Sequence, residues 1–187
     1  EQNGTERLVG YVEASRGCLH RCLHCPIVPV YDGRFVLVPE SVVLEDIRRQ
    51  VQAGATHITF GDPDFLNGPG HSLSIVRAMH GEFPRLPFDF TAKIEHLLKR
   101  RALMPDLRAQ GGLSVISAVE AFSEPVLNLL QNGQTGAYGL AALDRLRVAG
   151  RDLTHPLVAF APWPNLAYNI YRFDTGQTRA RTGTCTH

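Results

Sequence analysis

Gly17-Cys18-Leu19-His20-Arg21-Cys22-Leu23-His24-Cys25-Pro26 is the stretch that decides how this chain is read. Three of the 4 cysteines stand in it, spaced C-x3-C-x2-C. A [4Fe-4S] cluster ordinarily takes one thiolate per iron. Cys18, Cys22 and Cys25 on one loop would hold three irons and leave the fourth open to a small molecule that ligates through nitrogen and oxygen. Zinc is the first alternative, because structural zinc closes with four Cys or His ligands and His20 or His24 would complete a Cys3His set. The second cysteine pair that most zinc motifs carry is missing, and Cys185 with His187 stands far off in the tail. Three thiols on one tight loop cannot all pair as disulfides, so inert buried thiols are the remaining alternative.

Outward from this loop, short apolar runs alternate with helical stretches, the pattern of βαβ units and a parallel sheet. Residues 8–12 read as the first strand, directly ahead of the cysteines, and 57–60, 88–92, 113–119 and 153–160 as the next four. The run 113–119 is β-branched and is expected to be buried on both faces. Residues 39–53 read as a helix, since Val43, Ile47 and Val51 recur every four residues and Gly54 supplies a stop. Residues 72–80 form a second helix with Leu73, Ile75, Val76 and Met79 on one broad face, and 95–107 hold a third. Ser123 caps a short helix with Pro125 in its first turn, and a further helix runs from Thr135 to a stop at Gly150.

The bulk numbers agree with a folded core. The chain has 187 residues, 44% hydrophobic and 20% charged, which suits one domain. Its 19 basic and 18 acidic residues leave a formal charge of +1, which points to neither nucleic acid nor an anionic membrane. No apolar run approaches the roughly 20 residues that span a bilayer. The polar opening Glu1-Gln2-Asn3-Gly4-Thr5 is not a signal peptide. Sparse cysteines gathered in one loop fit a reducing cytoplasm. After Trp163 the apolar pattern fades, so 1–167 reads as the core and 168–187 as an irregular tail. With no initiator Met and a distorted sixth strand at best near 168–173, the expectation is a trimmed chain, C-terminally truncated or altered.

The cysteine loop resembles that of the radical S-adenosylmethionine (SAM) superfamily, in which the open iron chelates the amino and carboxyl groups of SAM. The longer runs Gly17 to Phe35 and Ile58-Thr-Phe60-Gly61-Asp62-Pro63-Asp64-Phe65-Leu66-Asn67-Gly68 are similar to a narrower group within it. That group is the radical SAM proteins named for a Cys-Cys-Ala-Glu-Pro or selenocysteine-containing tail. Lys93-Ile-Glu95-His96-Leu97 and Ser117-Ala-Val-Glu120 fit the same group, and the likeness covers about 8–163. The chain itself ends on Thr184-Cys185-Thr186-His187.

The resemblance implies an α/β fold, a partial (β/α) barrel with about five of its usual six strands present and its C-terminal part incomplete. It implies a [4Fe-4S] cluster on Cys18, Cys22 and Cys25, and SAM as second cofactor. Chemistry in such barrels sits at the C-terminal ends of the strands. There Gly61, Asp62 and Pro63 would form the turn that meets the SAM amino group, unless they are an ordinary acidic turn. Lys93 and Glu95 would pair and contact a carboxylate or substrate, or simply start a helix. Ser117 and Glu120 would hold the ribose hydroxyls. Trp163 would stack on adenine or substrate, or fill a core, and His24 would pack with its backbone against adenine. Reductive cleavage of SAM, driven by a donor such as flavodoxin or ferredoxin, would then modify a small molecule. Some members are linked to organoarsenical natural products, where the 3-amino-3-carboxypropyl group of SAM moves to arsenic. A zinc or iron–sulfur binding module without catalysis, and an inactive remnant, are the competing readings.

Overall fold

The computed structural model of the chain describes residues 8–23 and 25–117, with the backbone of 153–154, 169–170, 173–174, 177–178 and 181–182. Its elements follow in chain order: β1 (Val9–Val12), β2 (Ser15–Gly17), α1 (Val28–Tyr31), β3 (Phe35–Leu37), α2 (Glu40–Gln52), β4 (His57–Phe60), α3 (Pro69–Glu82), β5 (Phe88–Thr91), α4 (Ile94–Lys99), α5 (Met104–Ala109), β6 (Gly112–Ile116) and β7 (Leu153–Thr154). The central sheet runs β1-β4-β5-β6-β7, and every neighbouring pair is parallel. This is the α/β, partial-barrel arrangement expected from the sequence.

The two faces of the sheet differ in chemistry, because side chains alternate along a strand while parallel register partners share a face. Ile58 stands beside Gly10 and Phe88, and Phe60 beside Val12 and Phe90. These are buried with Ile47, Val43, Ile75, Val76 and Met79 of α2 and α3 in one apolar core. Phe60 packs at 4.6 Å from Phe65 and edge-on at 5.6 Å from Phe88, arrangements that aromatic quadrupoles favour. The opposite face carries Tyr11, Thr59, Asp89 and Ser114 in register, with Thr91 beyond. A polar face beneath the C-terminal strand ends suits a polar ligand.

Of the period-four stripe on α2, Val43 and Ile47 are buried and Val51 is partly buried against the same core, and the helix is capped at Ala53, just ahead of Gly54. Bidentate contacts of 2.7 and 2.6 Å from Arg48 to Glu82 tie α2 to α3. The helix expected over 95–107 is instead two helices joined by a 3-10 turn over Arg101–Leu103. Pro105 explains the break: in a continuous helix its ring would collide with the carbonyl four residues back. The strand expected over 113–119 is found as Gly112–Ile116, with 118–119 outside the described residues, and Leu113 is 51% exposed, so burial on both faces fails at its start. The fifth strand is confirmed over 153–154, and the rest of that expectation lies outside the described residues. The helices expected from Ser123 and Thr135 also lie outside them. In the tail, Asn169–Ile170 pairs with Arg181–Thr182 and Phe173–Asp174 with Gln177–Thr178, apart from the central sheet. Among the described residues no helix is long and apolar enough to cross a membrane.

Candidate metal centre

Between β1 and α2 the chain makes a small antiparallel ribbon that the sequence did not reveal: Ser15 faces Leu37, Arg16 faces Val36 and Gly17 faces Phe35. The cysteine loop is the long connection of this ribbon, so its two ends are clamped together. Gly17, immediately before Cys18, has φ of +76°, and a Cβ there would lie 2.2 Å from the Arg34 carbonyl oxygen. Replacing Gly17 with alanine therefore sets a left-handed cost of about 1–2 kcal/mol on top of a backbone clash. We expect Gly17→Ala to lower both the melting temperature and the iron retained per chain after reconstitution. An unchanged iron content would show that the ribbon does not govern the loop.

Cys18, Cys22 and Cys25 stand outside any disulfide and are partly buried. A turn bond of 3.1 Å from the Cys25 N–H to the Cys22 carbonyl folds the loop on itself. Arg21 reaches across to the Asp32 carbonyl at 3.0 Å and its carboxylate at 3.3 Å. Asn67, in the 3-10 turn after β4, points its amide Nδ2 at Cys18 Sγ, 3.4 Å away. An N–H aimed at sulfur is the partner a cluster thiolate wants. Three soft thiol donors on one folded loop, one already facing an amide, fit an iron–sulfur cluster.

The strand ends fill in around this loop. Gly61 follows β4, and a Cβ there would fall 1.9 Å from the Tyr11 ring, whose hydroxyl donates to the Gly61 carbonyl at 3.2 Å. Only glycine lets the two meet. Asp62 is 1% exposed. One of its oxygens accepts from Ala14 N–H at 3.0 Å and the other from the Ser15 hydroxyl. Its carboxylate thus ties the turn after β4 to the neck of the cysteine loop. Burial pushes its pKa up, more than the bonds from Ser15 and Ala14 pull it down. Asp64 caps the 3-10 turn by accepting from Leu66 N–H at 3.1 Å, and its other oxygen lies 2.7 Å from His96 Nδ1.

Lys93 and Glu95 pair at 3.4 Å at the end of β5, and Lys93 Nζ also lies 3.2 Å from His20 Nδ1. His20 Nε2 in turn lies 3.4 Å from His96 Nε2. Burial, followed by the neighbouring Lys93 ammonium and His96, holds the His20 pKa below its ordinary value. Ser117, just beyond β6, is 1% exposed, and its hydroxyl finds no hydrogen-bond partner among the described residues. Pro63 holds the turn between Asp62 and Asp64. His24, Glu120 and Trp163 lie outside the described residues.

Sequence reasoning passed over His96, Asn67, Ser15 and Tyr11. His96 stands three residues after Lys93, on the same helical side, and that spacing was the available signal. The others act through backbone or long-range contacts that no local pattern announces.

No family model matches the chain, and no curated protein matches it. Solved structures do match, and they define the class of fold first: it is the partial (β/α) barrel found in radical SAM enzymes. The particular likenesses include the cobalamin-dependent SAM radical enzyme OxsB, with TM-score 0.63 and 22% identity over 78% of this chain and 23% of that one. The radical SAM methyltransferase TsrM from Kitasatospora setae gives TM-score 0.61 and 16% identity over 79% of this chain and 28% of that one. Methylornithine synthase PylB gives 0.55 and 18% over 81% and 44%. The chain therefore spans less than half the length of each of these enzymes.

Proposed function

We propose that this chain is the SAM-cleaving part of a radical SAM enzyme, with Cys18, Cys22 and Cys25 holding a [4Fe-4S] cluster. One observation carries the reading. The cysteine loop lies across the C-terminal strand ends, because His20 touches Lys93 and His96 after β5 while Asn67 after β4 reaches Cys18. A ligand on the open iron would thus stand over the polar sheet face, where barrel chemistry occurs. The zinc reading is weaker, since His20, one of its two candidate fourth ligands, is engaged by Lys93 and His96.

When bound and reduced, such a cluster supplies the electron that breaks one C–S bond of SAM. A flavodoxin- or ferredoxin-class protein is the proposed donor of that electron. The protein's residues position the cofactor and exclude water. The Gly61–Pro63 turn would face the SAM amino group, Lys93 would meet a carboxylate, and the Ser117 hydroxyl, which has no partner among the described residues, would meet the ribose, joined there by Glu120. Trp163 and His24 would line the adenine. The motifs at 17–35 and 58–68 extend the proposal to transfer of a SAM-derived group to a small molecule, as in organoarsenical biosynthesis.

Anaerobic reconstitution with iron and sulfide, followed by EPR of the dithionite-reduced protein with and without SAM, tests this. We expect a [4Fe-4S]+ signal whose g-values move when SAM is added. A signal indifferent to SAM, or a colourless zinc protein, would overturn it. Product analysis then separates the two cleavages. Methionine with 5′-deoxyadenosine marks hydrogen abstraction, and 5′-methylthioadenosine marks transfer of the aminocarboxypropyl group.

A further inference from the structure

Four side chains from three separate segments form one unbroken line of polar contacts. Asp64 Oδ2 lies 2.7 Å from His96 Nδ1, His96 Nε2 lies 3.4 Å from His20 Nε2, and His20 Nδ1 lies 3.2 Å from Lys93 Nζ. The line starts in the turn after β4, passes through α4, enters the cysteine loop between Cys18 and Cys22, and returns to the end of β5.

Its proton arrangement can be worked out from the ends inward. An ammonium only donates and an ionised carboxylate only accepts. Lys93 therefore donates to His20 Nδ1, which leaves the His20 proton on Nε2, aimed at His96. His96 Nε2 must accept it, which leaves the His96 proton on Nδ1, facing Asp64. Each contact then sets one donor against one acceptor. The reverse arrangement needs a neutral Lys93 and a protonated Asp64. Asp64 Oδ2 and His96 Nδ1 stand 2.7 Å apart, both buried, in a contact that falls short of hydrogen-bond geometry, and neither has a hydrogen-bond partner among the described residues.

The same residues invite a metal reading. His20, Asp64 and His96 bring one ligand atom each within 4.8 Å of one another, the donor set of a two-histidine, one-carboxylate site. Lys93 decides against it. A ligating imidazole donates its second N–H to a carboxylate, carbonyl or water, whereas the second nitrogen of His20 faces an ammonium.

We propose that Asp64, His96, His20 and Lys93 form a singly arranged polar chain, and that through it His96 and Asp64 are positioning residues for the cysteine loop. They hold His20, the middle of the three residues between the first two cysteines, and so hold the stretch of backbone that spaces Cys18 from Cys22. The inference rests on the iron–sulfur reading for its consequence but not for its geometry.

Two measurements test it. Long-range 1H–15N correlation spectra of the metal-free full-length chain read the tautomers directly. We expect the proton of His20 on Nε2 and that of His96 on Nδ1, and the opposite pair would overturn the proposal whatever cofactor the protein binds. Secondly, His96→Leu, with its fold checked by circular dichroism, should hold reconstituted iron about 10-fold less tightly, the lower range for outer-shell partners, and show altered g-values. His96→Gln, whose amide offers one donor and one acceptor, should restore both. Wild-type iron affinity and EPR in His96→Leu would overturn the proposal. So would a cobalt(II) ion bound with histidine–carboxylate absorption in a chain lacking the three loop cysteines and lost on Asp64→Asn. If no cluster forms even in the wild type, the proposed function fails while the tautomer result stands by itself.

Discussion

Cys22→Ala brings the iron bound after reconstitution from about four per chain down to background and removes the SAM-responsive EPR signal. Cys18→Ala and Cys25→Ala do the same, whereas Cys185→Ala leaves both unchanged. The size of the effect follows from ligand count. Structural zinc sites, the nearest thiolate-rich yardstick, bind with roughly 10–16 kcal/mol in total, so by that measure each ligand carries on the order of 3 kcal/mol. Losing one weakens retention by about 100-fold at least, which at micromolar protein means no cluster. Among the described residues of the loop, the alternative donor His20 is held by Lys93 at 3.2 Å and by His96 at 3.4 Å. Cys22 occupies the middle of the ligand set, and alanine there keeps the backbone turn bond from Cys25 N–H to the carbonyl of residue 22, so the loss is one of ligation and not of loop shape. Iron and acid-labile sulfide assays on the four variants, run beside the EPR, check the expectation. Retention of a full cluster in any one of the three loop variants would remove that cysteine from the ligand set.

The parallel sheet was legible because its strands are short apolar runs with helical periods between them, and periodicity is a local property. The β4 strand, 57–60, matched residue for residue, and Val43 and Ile47 are buried as their spacing requires. The helix at 95–107 was misread because its apolar period continues across Pro105 even though the backbone does not. The cysteine motif stands out in the sequence for a different reason: its spacing is what the proposed cluster requires. What holds the motif in place was not legible. The ribbon pairing Ser15 with Leu37 and the reach of Asp62 back to Ala14 join residues 22 and 48 positions apart, and no local pattern encodes such a meeting. Asp62 shows the limit well. Its position after β4 marked it for the cofactor, and the structure shows both carboxylate oxygens occupied by the neck of the cysteine loop, so any contact with SAM from this turn falls to the backbone and to whatever the carboxylate can share.

Asp62→Ala should destabilise the protein by about 2–4 kcal/mol, because it leaves the buried Ala14 N–H and Ser15 hydroxyl without their acceptors. For a chain of this size that lowers the melting temperature by on the order of 10 °C. Asp62→Asn should lose much less, since one amide oxygen still accepts from Ala14 and the amide nitrogen can donate to Ser15. The pH dependence separates charge from shape. Burial raises the Asp62 pKa in the folded state above its ordinary value of 3.8, so in the interval between the two the folded protein binds more protons than the unfolded chain. Stability then falls as pH rises through that interval, and the carboxylate contributes most favourably below its unfolded pKa. The Asn variant has no such proton to lose. Its stability relative to wild type should therefore improve as pH rises from about 4 toward neutrality, and become constant once Asp62 is fully ionised. Urea denaturation of wild type and both variants across that range measures the slope. A difference that stays flat, or runs the other way, would mean that the bonds from Ser15 and Ala14 outweigh burial and hold the carboxylate ionised at little cost. The same variants report on the loop: if Asp62 anchors the ribbon, Asp62→Ala should shed iron in proportion to its loss of stability, while Asp62→Asn keeps both.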